Sequence, residues 1–99
     1  MGNKLREIGR LAEMLTGMDI PHVTLPRRDG LQILYPGPGD WICSVICFSG
    51  SAGYEKGLLE IMGLTHNGES VEGYLTAEDV FKRIFEYEKL LKLPEVEYE

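Results

Sequence analysis

WICSVICFSGSAGYEKGLLEIMGL, running from Trp41 to Leu64, is the stretch that decides the fold. It holds two apolar segments of strand character, residues 41–48 and 58–64, joined by a loop rich in glycine and serine. Two-residue alternation over 41–48 puts Trp41, Cys43, Val45 and Cys47 on one face. Ile42, Ile46 and Phe48 fall on the other, and only Ser44 interrupts the apolar run. A strand apolar on both faces is expected at the centre of a sheet, covered on both sides. The joining loop, Ser49-Gly50-Ser51-Ala52-Gly53-Tyr54, has little bulk to pack and many backbone donors. It is the foremost candidate for a binding segment.

Upstream, residues 31–35 read as a third strand, introduced by the turn signal Asp29-Gly30. Residues 36–40, Pro-Gly-Pro-Gly-Asp, are a loop by composition. Leu5, Ile8, Leu11, Ala12 and Leu15 recur at helical spacing and predict a helix over 3–16, with Asn3 as N-cap and Gly17 as stop. Pro21 and Pro26 bar helix from the connection 19–29, although residues 22–25 could form a short edge strand. Downstream, 65–72 is polar and turn-rich. A second helix starts at Thr76, where Thr76 and Asp79 form a short capping box and Leu75 with Val80 a hydrophobic staple. Glu78 and Asp79 suit the positive helix end. Ala77, Val80, Ile84, Tyr87 and Leu91 give this helix an apolar face, which Phe81 and Phe85 widen. Pro94 ends it, leaving 95–99 as a frayed acidic tail.

The expected fold is therefore a small α+β single domain over 1–99 in the order α-β-β-β-α. A three-stranded antiparallel meander is packed with two helices. The helices cover one face each, or both cover one face and a second subunit covers the other. The excess aromatics on the last helix favour a homo-oligomer.

Ninety-nine residues, 43% hydrophobic and 26% charged, allow one modest core and not two domains. No apolar run approaches the roughly 20 residues that span a bilayer. Lys4, Arg6, Glu7 and Arg10 interrupt any signal-peptide core, so the expected location is cytoplasmic, without a membrane partner. The net charge is −6, concentrated in residues 66–99, which carry four positive and nine negative groups. A nucleic-acid binder needs a basic stripe, and this chain has only Arg27-Arg28, so no nucleic-acid partner is expected. The acidic third is either a solvated face or a surface offered to a basic protein. Cys43 and Cys47 lie about 13 Å apart along a strand, beyond the roughly 7 Å that a disulfide spans. They read as buried free thiols.

The glycine-serine loop lacks the lysine of a P-loop and the dinucleotide fingerprint. It is either a plain hairpin connection or a site where Ser49, Ser51 and Gly53 hold a ligand's polar atoms while Tyr54 stacks on a base. Arg27 and Arg28 are either a solvated turn or a phosphate clamp. Tyr35 and Trp41 serve the core or a stacking platform. Glu60, between Leu59 and Ile61, faces solvent at an edge or is buried beside an arginine. His22 and His66 have no metal-ligand spacing, and no metal or cofactor is expected. No Ser/His/Asp or Cys/His arrangement stands out, so no catalytic residue is named and an enzyme is not expected.

Tyr35-Pro36, Cys43 to Ile46, Ser51 to Gly53, Leu58 to Leu64 and Gly73 to Val80 together resemble a family of small proteins encoded by phages and prophages of Gram-positive bacteria. The resemblance covers most of the chain after Gly30 and brings no activity of its own. It implies a phage accessory binding protein working in the host bacterial cell. One reading is an anti-defence sponge for a cyclic-nucleotide or cyclic ADP-ribose-type signal, held by Arg27, Arg28, Trp41, Ser49, Ser51, Gly53 and Tyr54. Another is an acidic inhibitor of a host defence protein, in the manner of anti-CRISPR proteins. A third is an accessory whose only partner is itself.

Overall fold

In a computed structural model of the protein, residues 3–92 are described. The chain runs α1 (Arg6–Gly17), β1 (Val23–Arg27), β2 (Gly30–Tyr35), β3 (Cys43–Cys47), β4 (Leu59–Met62), β5 (Val71–Leu75) and α2 (Ala77–Leu91), with a 3-10 turn at Tyr54–Lys56. The expected stop at Pro94 and the tail 95–99 lie outside the described residues.

The sheet is an antiparallel meander, but of five strands rather than three, in the order β1-β2-β3-β4-β5. Both additional strands are edges, where the sequence signal is weakest; β1 realises and extends the short edge strand offered at 22–25, whereas β5 falls partly in the stretch read as polar and turn-rich. β1 contains Pro26, which an edge tolerates because one side of the strand needs no ladder donor. β5 is interrupted by Glu72 and Gly73, and its pairing with β4 shifts register between Leu59 and Ile61. Tyr74 within it adopts a left-handed backbone, φ 61°. β3 is the centre of the sheet, as its two apolar faces predict.

Both helices lie on the same face of that sheet. Ile8, Leu11 and Leu15 of α1 join Val80 and Ile84 of α2 in one cluster with Ile33, Tyr35, Cys43, Val45, Cys47, Leu59 and Ile61. Of the two arrangements that the sequence allows, the one with a helix on each face is therefore wrong. The sheet's other face carries no helix. Trp41 and Ile42 also exchange the sides expected from alternation. The strand begins only at Cys43, so the two residues before it are free of its pleat. Ile42 packs on the core and Trp41 turns to the open face.

Local chemistry fixes the helix ends. Asn3, expected as the N-cap, instead lies in a turn before a helix that starts at Arg6 with Leu5 as its N-cap and no side-chain cap; its Oδ1 accepts the Leu5 amide at 2.9 Å. Thr76 and Asp79 form the expected reciprocal capping box, each side chain bonding the other's amide at 3.1 Å. Glu7 of α1 reaches across to accept the Ala77 amide at 2.9 Å, and its other oxygen holds Arg10, which also bonds Glu78. Tyr35 is a core residue whose hydroxyl donates to Glu88 at 2.8 Å. Its ring meets Tyr87 edge-on, with centroids 6.1 Å apart. Cys43 and Cys47 are buried and unpaired, and burial pushes the Cys43 thiol up to about 12.

A second joint ties α2 to β5. Arg83 grips Glu72 with two bonds, at 3.0 and 2.9 Å, and donates to the Leu64 carbonyl at 3.2 Å. Glu72 also accepts the His66 amide at 2.7 Å. The bidentate arginine, with that amide second, lowers the Glu72 carboxyl from 4.5 to about 2. Between those values the unfolded chain binds a proton that the folded chain refuses, so stability rises with pH. The contribution is complete above pH 4.5 and fades as pH falls toward 2. Urea unfolding across that window should therefore show a steeper acid loss for wild type than for Glu72→Gln. Equal slopes for the two proteins would mean that the pair does not hold this joint.

Candidate functional site

The open face of the sheet is built by register. Val23, Leu34, Ser44, Met62 and Val71 form one row across all five strands. Leu25, Gln32, Ile46 and Glu60 form the next row across four. Cross-strand partners share a face, so these side chains stand together on the side away from the helices. Over them lies a groove of about 350 Å³ whose apolar walls are Trp41, Ile46, Phe48 and Met62. Its polar members are Arg27, Gln32, Ser44 and Glu60. Met62 is 46% exposed, a large value for a methionine in the middle of a sheet row.

The polar members are held in place. Arg27 Nε donates to Gln32 Oε1 at 2.8 Å, and Gln32 Nε2 donates to Ser44 Oγ at 2.8 Å. This chain lays the guanidinium along the sheet. Its Nη1 bonds the Pro26 carbonyl at 3.2 Å, and Nη2 has no partner among the described residues. On the far side, Glu60 Oε1 accepts the Ala52 amide at 2.7 Å. Glu60 is half-buried in an interior strand. It is neither the solvent-facing edge residue nor the arginine-paired one that the sequence suggested, and its second oxygen is unpartnered among the described residues.

The seven residues singled out from sequence scatter. Arg27 and Trp41 line the groove. Arg28 occupies the β1–β2 turn with φ 42°, a conformation set by the two-residue hairpin. Ser49 lies beside that turn, its amide donating to Asp29 Oδ1 at 3.0 Å. Ser51 is buried, its hydroxyl donating to the Phe48 carbonyl at 2.8 Å and accepting the Phe48 amide at 3.2 Å. Gly53 is buried against β5. Tyr54 packs on the core with Lys4 over its ring at 5.0 Å.

The loop's backbone donors are largely engaged. The amides of Ser49, Ser51, Ala52, Tyr54, Lys56, Gly57 and Leu58 all have partners within the chain. A phosphate cradle needs such groups free and convergent, so this loop is a packed connection. Gln32, Ile46, Phe48 and Met62 escaped the sequence reading as site residues. The available signal was the two-faced pattern of residues 41–48, which marks Ile46 and Phe48 as a second apolar face.

Among the described residues no group of three or more His, Cys, Asp or Glu is placed to hold a metal ion. No helix among them is long and apolar enough to cross a membrane. No family model, curated protein or solved structure matches the chain.

If the loop is structural, its glycines should matter to stability. Gly53 has φ 99°, and a Cβ there would stand 3.0 Å from the Leu58 Cβ and 3.1 Å from the Tyr74 backbone. Gly50 has φ 100° but open space around it. Gly53→Ala is expected to cost about 1–3 kcal/mol in urea unfolding, and Gly50→Ala less, since strain acts there without a clash. Two variants of equal stability would contradict the packing of Gly53 on β5.

Proposed function

We propose that this chain is a non-enzymatic binding protein whose working surface is the open face of its sheet, and that the surface takes another protein. One observation carries the reading: a five-stranded sheet has both helices on one side and, on the other, a groove walled by Trp41, Ile46, Phe48 and Met62. Aromatic residues, methionine and arginine are the side chains that protein interfaces favour. Small-molecule sites enclose most of their ligand, whereas this groove lies along an open sheet face and continues into the side-chain rows around it. The partner's surface is accordingly apolar at its centre, with a carboxylate for Arg27 and a donor for Glu60 at its margins.

A second reading keeps a small nucleotide-derived ligand, stacked on Trp41 with its phosphate on Arg27. The sharing of one groove by these two side chains favours it. It differs in outcome, because such a ligand adds several hundred daltons to the protein in native mass spectrometry and a protein partner adds thousands.

Hydroxyl-radical labelling tests the surface itself. Trp41 and Met62 should oxidise severalfold more slowly in the protein recovered from concentrated host extract than in dilute purified protein. Tyr74, 62% exposed on the edge strand β5, is the internal control and should not change. Equal labelling of Trp41 and Met62 in both settings would overturn the reading.

A further inference from the structure

We infer that the occupant of the open face is a second copy of this chain, laid face to face about a two-fold axis that runs parallel to the strands. The inference rests on the reading of that face as a protein interface and names its partner.

The sheet edges exclude the other common route to self-association. β1 carries Pro26, which lacks a ladder donor, and leads into the left-handed turn residue Arg28. β5 has a register shift opposite β4 and a left-handed residue at Tyr74. Neither edge offers the uninterrupted ladder that strand-to-strand pairing needs. The face remains.

Its charges are disposed for self-complementarity. Arg27 lies on β1 and Glu60 on β4, at opposite sides of the same groove, and each keeps one terminal atom unpartnered among the described residues. A two-fold axis between β2 and β3 brings β1 over the partner's β4 and β2 over its β3. Stacked sheets lie about 10 Å apart with strands nearly aligned, which this arrangement allows. Arg27 is two residues beyond Leu25, whose row ends at Glu60. In the pair it stands about 7 Å along the strand from the partner's Glu60, within reach of an arginine side chain. Symmetry makes the contact twice. The same operation sets Val23 over the partner's Met62, apolar on apolar, and Ile46 over the partner's Gln32.

The size of the face sets the strength. The four strands that overlap, β1 to β4, each of four to six residues, cover about 19 by 17 Å in plan at standard spacings. At roughly 320 Å² of plan area per partner, this is smaller than a standard interface and in the range of weak, transient contacts. The dimer is therefore reversible, with a dissociation constant on the order of micromolar.

Sedimentation equilibrium of the purified chain, from about 1 to 500 μM, reads this directly. The expected result is a monomer at the low end and a dimer at the high end. Arg27→Glu, which faces like charge in the dimer, should weaken association about tenfold or more. Adding Glu60→Gln, which keeps an acceptor for the Ala52 amide, should recover most of that loss. Ile46→Asp should abolish the dimer, and circular dichroism of each variant separates lost pairing from lost folding. A wild-type chain that stays monomeric to the highest concentration overturns the inference. So does a dimer indifferent to both Arg27→Glu and Ile46→Asp in folded protein. Monomeric purified protein whose Trp41 and Met62 are nonetheless protected in extract would remove the second copy and leave the interface. Unprotected residues would remove both.

Discussion

Burial of one sheet face beneath two helices is the interaction on which the rest of this structure depends. The core is a single cluster in which α1 and α2 touch both the sheet and each other. Glu7 completes the joint by accepting the Ala77 amide at the start of α2, where helix amides lack intrahelical partners. Arg10 bridges Glu7 and Glu78 across the same junction. Helices joined in this way cannot divide themselves between the two faces. The open face is thus a consequence of helix pairing, and β3 exposes on it the half of its apolar pattern that the helices do not reach.

The acidity of the chain has a structural component. Glu7, Asp29, Glu60, Glu72 and Asp79 each accept a backbone amide outside the regular ladders, from Ala77, Ser49, Ala52, His66 and Thr76 respectively. Glu88 holds the Tyr35 hydroxyl. Hydrogen bonds to ionised groups are stronger than neutral ones, so carboxylates serve as fasteners between loops, strands and helices. Of these, Glu72, Asp79 and Glu88 lie in the acidic C-terminal third, where Glu69, Glu78 and Glu86 are exposed. Glu72 and Glu88 face inward partners, and Arg83 neutralises the first of them.

Much of the fold was legible because its strongest signals are periodic. The helical spacing of Ile8, Leu11 and Leu15, the capping box at Thr76 and the two-faced pattern from Cys43 onward appear where periodicity and capping predict. β1 and β5 were not legible as full strands. Their residues satisfy one neighbour only, so Pro26, Glu72 and Gly73 are tolerated there and erase the pattern. The candidate site was legible in two of its residues, Arg27 and Trp41. The rest of the groove is assembled by pairing register across strands far apart in sequence, as in the row from Leu25 through Gln32 and Ile46 to Glu60. No local pattern encodes that row.

The glycine-serine loop has many donors and little bulk, and both properties have a conformational use. Gly53 and Gly57 adopt left-handed backbones on either side of the Tyr54–Lys56 turn, which lets the chain double back between β3 and β4. The return brings Ser51 onto the backbone of Phe48 and the Ala52 amide onto Glu60. Phe48 and Glu60 are two of the side chains that bound the groove. Gly73, beside β5's left-handed Tyr74, leaves room for Ala52, whose side chain would stand only 2.4 Å from a Cβ at that position. The loop therefore shapes the open face from behind. Its small residues are needed because three strands converge on it, and its donors are engaged because they hold one wall of the groove in position.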